Sequence, residues 1–299
     1  MQRMPRALEP RGSRPRRFDV PLLPMEERLL QTDVVCLGRF VCPPTHPLFT
    51  NSGPATTWCI AFPRRSVWIR HRDDAAFVAD ATLATLYNRG DEYERVAVDD
   101  RGDYCDWLAV APDVLLDIAT TYDPRAADRP DRPFGAHRAG CDHRVYLRQR
   151  CLFEYVSGAA APDLMLVDEE ALRLVARLMS SAIAARPVNR RASREIVEAA
   201  RAVLAVRFAD NLTLRGLADL VGASPYHLCH TFRAVTGTTI TKHRDQLRLR
   251  ASLELLGDHP GRLIDLALEL GYSSHSHFTA AFRHTFQTTP SRLQAQFAR

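Results

Sequence analysis

The sequence predicts an α+β chain: an N-terminal antiparallel β barrel or sandwich with flanking helices, then an all-α C-terminal domain holding two helix-turn-helix motifs joined by a long helix. Three observations carry this expectation. Short runs with strand character, broken by turn residues, occupy residues 30–110. A proline-rich interval at 123–134 ends them, and helical periodicity takes over. Within the helical region the same pattern occurs twice, about 50 residues apart: Leu214, Leu217, Ala218, Gly222, Ser224, Leu228, Phe232, Arg233, Gly237 and Thr239, then Leu263, Leu266, Ala267, Gly271, Ser274, Phe278, Phe282, Arg283, Gln287 and Thr289. A repeat in fixed order marks one supersecondary unit used twice.

Residues 1–25 read as a disordered Arg/Pro-rich tail; they lack the apolar stretch of a secretory signal, and Met25 is an alternative start. Strands are expected at 57–62, 67–70, 82–87, 93–98 and 104–110, with turns at Pro63-Arg64-Arg65, Asn88-Arg89-Gly90 and 99–102. Helices are expected at 144–156 and 168–185. In the second, Leu172, Val175, Met179, Ala182 and Ile183 recur at helical spacing, and Asp168, Glu169 and Glu170 suit its N-terminus. That stripe either packs on its own domain or meets a second copy of the chain. Residues 30–155 therefore form the first domain, 156–185 a helical dimerisation segment, 186–193 a polar linker and 196–297 the helical domain, with its motifs at about 214–236 and 263–286.

Each copy of the pattern reads as a physical device. Thr213 caps a short helix whose Leu214, Leu217 and Ala218 face inward, and Gly222 ends it with a left-handed turn. Ser224 caps the next helix, with Pro225 where the missing N–H costs nothing. Leu228 and Phe232, four apart, bury one face and leave Tyr226, His227, Cys229, His230 and Arg233 on the other. The second copy repeats this with Ser274 as cap, Phe278 and Phe282 as anchors, and His275, Ser276, Thr279 and Ala280 outward. A helix over 242–256, about 20 Å long, holds the two units apart. Second helices so presented can enter two major grooves about one helical turn apart.

The order Ala267-x3-Gly271-Tyr272, Ser276-x-Phe278-x3-Phe282-Arg283 and Thr289-Pro290, with Leu247-Arg248-Leu249-x-Ala251-x3-Leu255-Leu256 and the first copy, resembles the AraC family of bacterial transcription regulators over about residues 196–297. Two positions depart from its pattern: Gln287 stands where glycine is common, and His243 where an aromatic often sits. The resemblance implies base contacts from Tyr226, Cys229 and His230 in one recognition helix and His275, Ser276 and Thr279 in the other. Arg233, Arg283, Thr289 and Ser291 suit phosphates. It further implies an effector-responsive activator with double-stranded promoter DNA, RNA polymerase and a small molecule as partners, and a cupin-like N-terminal fold. Phe40-x-Cys42-x3-His46-Pro47, Phe62-Pro63-Arg64, Ala79-Asp80, Tyr87-Asn88 and Gly102-Asp103-x-Cys105-x-Trp107 resemble the N-terminal regions of a subset of such regulators.

Composition agrees and excludes several classes. Residues 191–299 carry 14 basic and 9 acidic residues and residues 1–17 six arginines and one glutamate, while the body from 18 to 190 is acidic overall, so the basic charge lies with the helical domain and the N-terminal tail. No apolar run is long enough for a membrane span. Seven cysteines without a CxxC pair point to reduced thiols in a cytoplasmic protein. No catalytic constellation, cofactor site or HxH metal motif stands out before residue 275, so neither an enzyme nor a metal site is expected; His275 and His277 point apart on their helix. The effector-site candidates are Cys42, His46, Trp58, Cys105 and Trp107, though tryptophans on strands are ordinarily core. The alternative is a thiol- or metal-based sensor, drawn from Cys42, His46, Cys59, His71 and Cys105, or a self-modifying, alkyl-transfer-like domain using Cys42 or Cys105, fused to the DNA-binding module.

Overall fold

Two long strands, β2 (Val35–Cys42) and β8 (Asp103–Val110), run side by side in the N-terminal half and bury both faces. Along β8 the side chains alternate: Cys105, Trp107 and Ala109 point to one core, Leu108 and Val110 to another. These strands anchor a six-stranded antiparallel sheet in the order β1 (Glu26–Gln31), β2, β8, β3 (Cys59–Pro63), β6 (Leu83–Tyr87), β9 (Arg138–Gly140). A three-stranded antiparallel sheet, β5 (Phe77–Ala79), β4 (Val67–His71), β7 (Tyr93–Ala97), covers one face. The computed structural model describes residues 20–72, 74–184, 191–257, 259 and 262–297.

The expected barrel is corrected to two sheets: among the described residues no ladder joins the edges of one to the other. The core between them unites Phe40, Ala61 and Trp107 with Val67, Ile69 and Phe77. Gly38 makes this packing possible, because a Cβ there would overlap the Trp107 indole. The strands at β1, β2, β5 and β9 are additional to those expected, as is helix α1 (Pro112–Tyr122). β5 and β9 have three residues each, too short for any periodicity.

The other face of the large sheet is covered by α1, α2 (His143–Gly158) and α3 (Leu164–Ala184). α3 begins four residues before the acidic cluster, because the Asp163 carboxylate accepts the N–H groups of Met165 and Leu166. Its apolar face, including Val175 and Met179 from the stripe, is buried against α1, α2 and β9 within the chain. Val175 and Met179 thus belong to the core of their own domain, while Leu164, Met165 and Leu166 at the start of α3 remain exposed. The expected tail and linker fall largely outside the described residues. Of 1–25, residues 20–25 are described, and Val20 is buried and accepts a hydrogen bond from Arg28. Of 186–193, residues 191–193 already lie in a helix.

Beyond it the chain is helical: α4 (Arg191–Arg207), α5 (Leu214–Leu220), α6 (Pro225–Thr236), α7 (Ile240–Leu255), α8 (Leu263–Glu269), α9 (His275–Phe286) and α10 (Pro290–Phe297). The first unit has its own core, in which Val197, Ala200 and Leu204 of α4 meet Leu217, Leu228 and Phe232. The second does not. Leu266, Phe278, Phe282 and Phe286 join Leu253 and the α2 and α3 residues in one continuous cluster. Among the described residues, no helix is long and apolar enough to cross a membrane.

Two buried ionic clusters tie the helical domain to the sheets. Glu254 of α7 pairs with Arg64 and with Arg150 (2.8 Å) and accepts the Tyr146 hydroxyl (3.1 Å), while Arg150 also reaches Asp106 (3.0 Å). In the second cluster Arg201 of α4 donates to Asp80 (2.9 Å), Glu198 of α4 accepts the Val78 N–H (2.8 Å), and Arg250 of α7 donates to the carbonyls of Ala81 and Cys141. Burial alone would raise the Asp80 pKa, but the Arg201 guanidinium and the His243 ring hold it well below the ordinary 3.8. The stabilisation from that depressed pKa is fully present above pH 3.8 and is lost only as the pH falls towards the lower folded value.

Candidate nucleic-acid interface

The local chemistry of each repeat is satisfied as its residues dictate. The Thr213 hydroxyl accepts the Gly216 N–H at the start of α5, and the Ser224 hydroxyl accepts the His227 N–H at the start of α6. Ser274 does the same for His277 in α9, and Thr289 for Arg292 in α10. Gly222 and Gly271 both adopt positive φ at the turn between helices. Leu214 departs from expectation: it is half exposed, leaving Leu217 and Ala218 to form the inner face of α5.

Four of the six expected base-contacting residues lie open to solvent: Tyr226, Cys229, His230 and Ser276. Tyr226 is 81% exposed and its ring stacks beside that of His230, 6.2 Å between centroids, so the two present one flat surface on α6. His275 and Thr279 are partly buried and hydrogen-bonded to each other (Nε2 to Oγ1, 3.3 Å). That contact fixes the imidazole on the outer face of α9 at the helical i, i+4 spacing. Arg233, Arg283 and Ser291 are exposed, and Thr289 is partly buried because it caps α10.

The two departures from the family pattern have separate explanations. Gln287 takes the left-handed conformation (φ 56°) at the end of α9, where Gly237 stands at the end of α6, and no other described non-glycine residue has positive φ. Its amide donates to the His284 carbonyl (2.8 Å). Gln287→Gly should relieve the strain at the cost of that bond, raising stability by about 0.5–1 kcal/mol in urea denaturation; a loss would mean that the side-chain bond outweighs the strain. His243 is buried edge-on to Phe232 and 3.5 Å from Asp80, so it faces the N-terminal domain as well as its own turn.

Between the two sheets lies a cavity of about 60 Å³ lined by Glu26, Tyr87, Tyr93, Arg95, Cys105 and Trp107, among others. Arg95 is buried there against Asp103 (3.1 Å), and the Trp107 indole N–H has no hydrogen-bond partner. Of the five effector-site candidates, Cys105 and Trp107 meet at this cavity. Cys42, His46 and Trp58 do not line it; the Trp58 indole N–H donates to the Asp131 carbonyl instead. Arg95, Glu26 and Tyr93 do not stand out in the sequence, because an arginine in so arginine-rich a chain carries little signal. Asp80, Arg64 and Trp107 sit within quoted motifs, yet only the fold assigns them to ion pairs and core.

Burial pushes the thiols of Cys59 and Cys105 well above the ordinary range, and that of Cys42 up as well. A reactive cysteine needs the opposite shift. The environment thus speaks against Cys42 or Cys105 as a self-modifying nucleophile.

A module of two capped helix-turn-helix units, each presenting its second helix to solvent, is that of a DNA-binding protein. Residues 217–296 match the family described as a helix-turn-helix domain. The regulatory protein SoxS of Salmonella typhimurium is 34% identical over 80 residues, which cover 27% of this chain and 75% of SoxS. The bifunctional transcriptional activator/DNA repair enzyme AdaA of Bacillus subtilis is 31% identical over 87 residues, 29% of this chain and 41% of AdaA, so less than half of that relative's length is spanned. ToxT from Vibrio cholerae is similar over 88% of this chain and 97% of its own, at 12% identity and a TM-score of 0.34. The chain belongs to the AraC family of transcriptional regulators.

Proposed function

We propose that the chain is a one-component regulator that binds promoter DNA through both helix-turn-helix units and responds to a small molecule held in its N-terminal domain. The observation that carries this reading is the repeated, capped unit whose second helix, α6 or α9, is anchored by buried aromatic or aliphatic residues and outwardly polar. Tyr226, Cys229 and His230 read one major groove and His275, Ser276 and Thr279 the next, while Arg233, Arg283 and the α10 terminus at Thr289 and Ser291 hold phosphates. Such a regulator works in the cytoplasm on the chromosome, with RNA polymerase as the partner of an activator.

The cavity beside Arg95 and Trp107 is the starting point for the effector site, since it combines an unpartnered indole donor with aromatic walls; at about 60 Å³ it must widen to admit a metabolite. An occupant there reaches the helical domain through β8, which carries Asp106, and the turn after β3, which carries Arg64, and their ion pairs with α2 and α7.

Electrophoretic shift titration with fragments recovered by genome-wide footprinting tests the reading. Binding should weaken steeply with salt, and His230→Ala or His275→Ala should reduce affinity for the specific fragment by about 5–150-fold, or about 1–3 kcal/mol. Base changes in the half-site read by α9 should cost more than those in the half-site read by α6, where Cys229 is a weak hydrogen-bonding group. Salt-sensitive binding without sequence preference would reject the proposal.

A further inference from the structure

Away from the DNA face, against the Tyr87 and Tyr93 rings that also line the small cavity, three side chains from separate regions of the N-terminal domain converge. His71 ends β4, Asp91 lies in the turn before β7, and His137 precedes β9, so the three link the small sheet to the edge of the large one. Each offers one ligand atom, and these atoms lie within 4.8 Å of one another. The two imidazoles stack at 3.7 Å between centroids. His71 is 2% exposed, walled by Phe77, Tyr87 and Tyr93, and neither of its ring nitrogens has a hydrogen-bond partner. The His137 Nδ1 is also buried without a hydrogen-bond partner, 3.7 Å from the Asp91 carboxylate.

We propose that His71, Asp91 and His137 bind a divalent first-row transition-metal ion, with zinc the best match. Of the three, only His71 stands out in the sequence, as one of five candidates for a thiol- or metal-based sensor; Asp91 and His137 do not, because the three residues are spread over 67 positions and form no spacing motif. Buried polar atoms without partners are uncommon in folded proteins, and here those of two imidazoles gather beside one carboxylate at ligand-forming distance, an arrangement that a bound ion accounts for. Two imidazoles and one carboxylate are a zinc donor set, leaving a position for water or a fourth ligand; magnesium and calcium demand oxygen, and cuprous ions favour sulfur. The carboxylate is already oriented as a ligand. Arg132 holds one oxygen (2.8 Å), and the Asn88 N–H donates to the other (2.8 Å). Ligand atoms around tetrahedral zinc stand about 3.3 Å apart, so closure asks for side-chain rotations of about an ångström.

The site also has a place in the fold. His137 lines a cleft of about 680 Å³ between the N-terminal and helical domains, and its neighbour Arg138 donates to Glu198 of α4 (2.9 Å).

The test uses the full chain, stripped with a chelator, titrated with Zn²⁺ by calorimetry and loaded with Co²⁺ for absorption spectroscopy. One equivalent should bind, and the Co²⁺ spectrum should show ligand-field bands without thiolate charge transfer. His137→Ala and Asp91→Asn should each weaken Zn²⁺ binding at least tenfold. His137 is partly exposed, so its variant should keep the circular dichroism spectrum of the parent even where His71→Ala fails to fold. Absence of binding would overturn the proposal, as a water-filled polar pocket predicts. Binding unchanged in His137→Ala would assign the ion to the exposed histidines of α6 and α9, and a thiolate band would assign it to a cysteine; either rejects this site.

Discussion

Glu254→Ala is expected to lower the stability of the full chain by about 3 kcal/mol, because it removes the carboxylate that the largely buried Arg64 and Arg150 guanidinium groups share and leaves Asp106 and Glu154 to balance them. Arg150 is among the largest fully buried side chains, and Glu254 is its contact with α7. Of the remaining acids near it, Glu154 pairs with Arg150 itself (2.5 Å), whereas Asp106 is shared, since it also accepts Gln149 and faces Arg39 and Arg64. Glu254→Gln keeps the shape and some hydrogen bonds and should fall between the two. Urea denaturation followed by circular dichroism and by tryptophan fluorescence reads both the size and the cooperativity. All three tryptophans lie in the N-terminal domain, so probes that diverge in Glu254→Ala would show the domains uncoupling. A loss below about 1 kcal/mol would mean that the cluster behaves like a surface pair.

Gly271→Ala should destabilise by about 2–4 kcal/mol, whereas Gly222→Ala, at the matching turn of the first repeat, should cost about 1 kcal/mol. Both glycines have positive φ, which accounts for the shared loss. The difference is space. A Cβ at Gly222 meets nothing within 4 Å, while one at Gly271 would overlap the Ala209 carbonyl and press on the Arg248 guanidinium. Arg248 itself donates to the Phe208 carbonyl (2.7 Å), so the chain just after α4, the turn of the second unit and the central helix α7 meet at that glycine. Equal losses in thermal or urea unfolding would refute the close-packing account. Should Gly271→Ala also weaken DNA binding while Gly222→Ala does not, the spacing of α6 and α9 depends on this contact.

The helical domain was legible because its signals are local. Ser224, Gly222 and Pro225 act within one turn of themselves, and the spacing of Leu228 and Phe232 states which face is buried. The N-terminal domain was legible only where strands were long enough to alternate. β5 and β9 escape detection at three residues, and the α3 stripe is open to two readings because a helix face of Val175 and Met179 looks the same whether it meets its own sheet or a partner.

Sequence by itself determined the repeated helix-turn-helix, its caps, its exposed polar face and hence membership of a DNA-binding class, since each rests on interactions between residues a few positions apart. Tertiary structure alone decided that the sheets stay open, that Val175 and Met179 of α3 are internal, that Glu254 and Asp80 fasten the two domains, and that His71, Asp91 and His137 meet. These depend on pairs separated by tens to almost two hundred positions, such as Arg64 with Glu254. Whether a buried charge is tolerated is set by the partner that the fold brings to it, and no local pattern of residues records that partner.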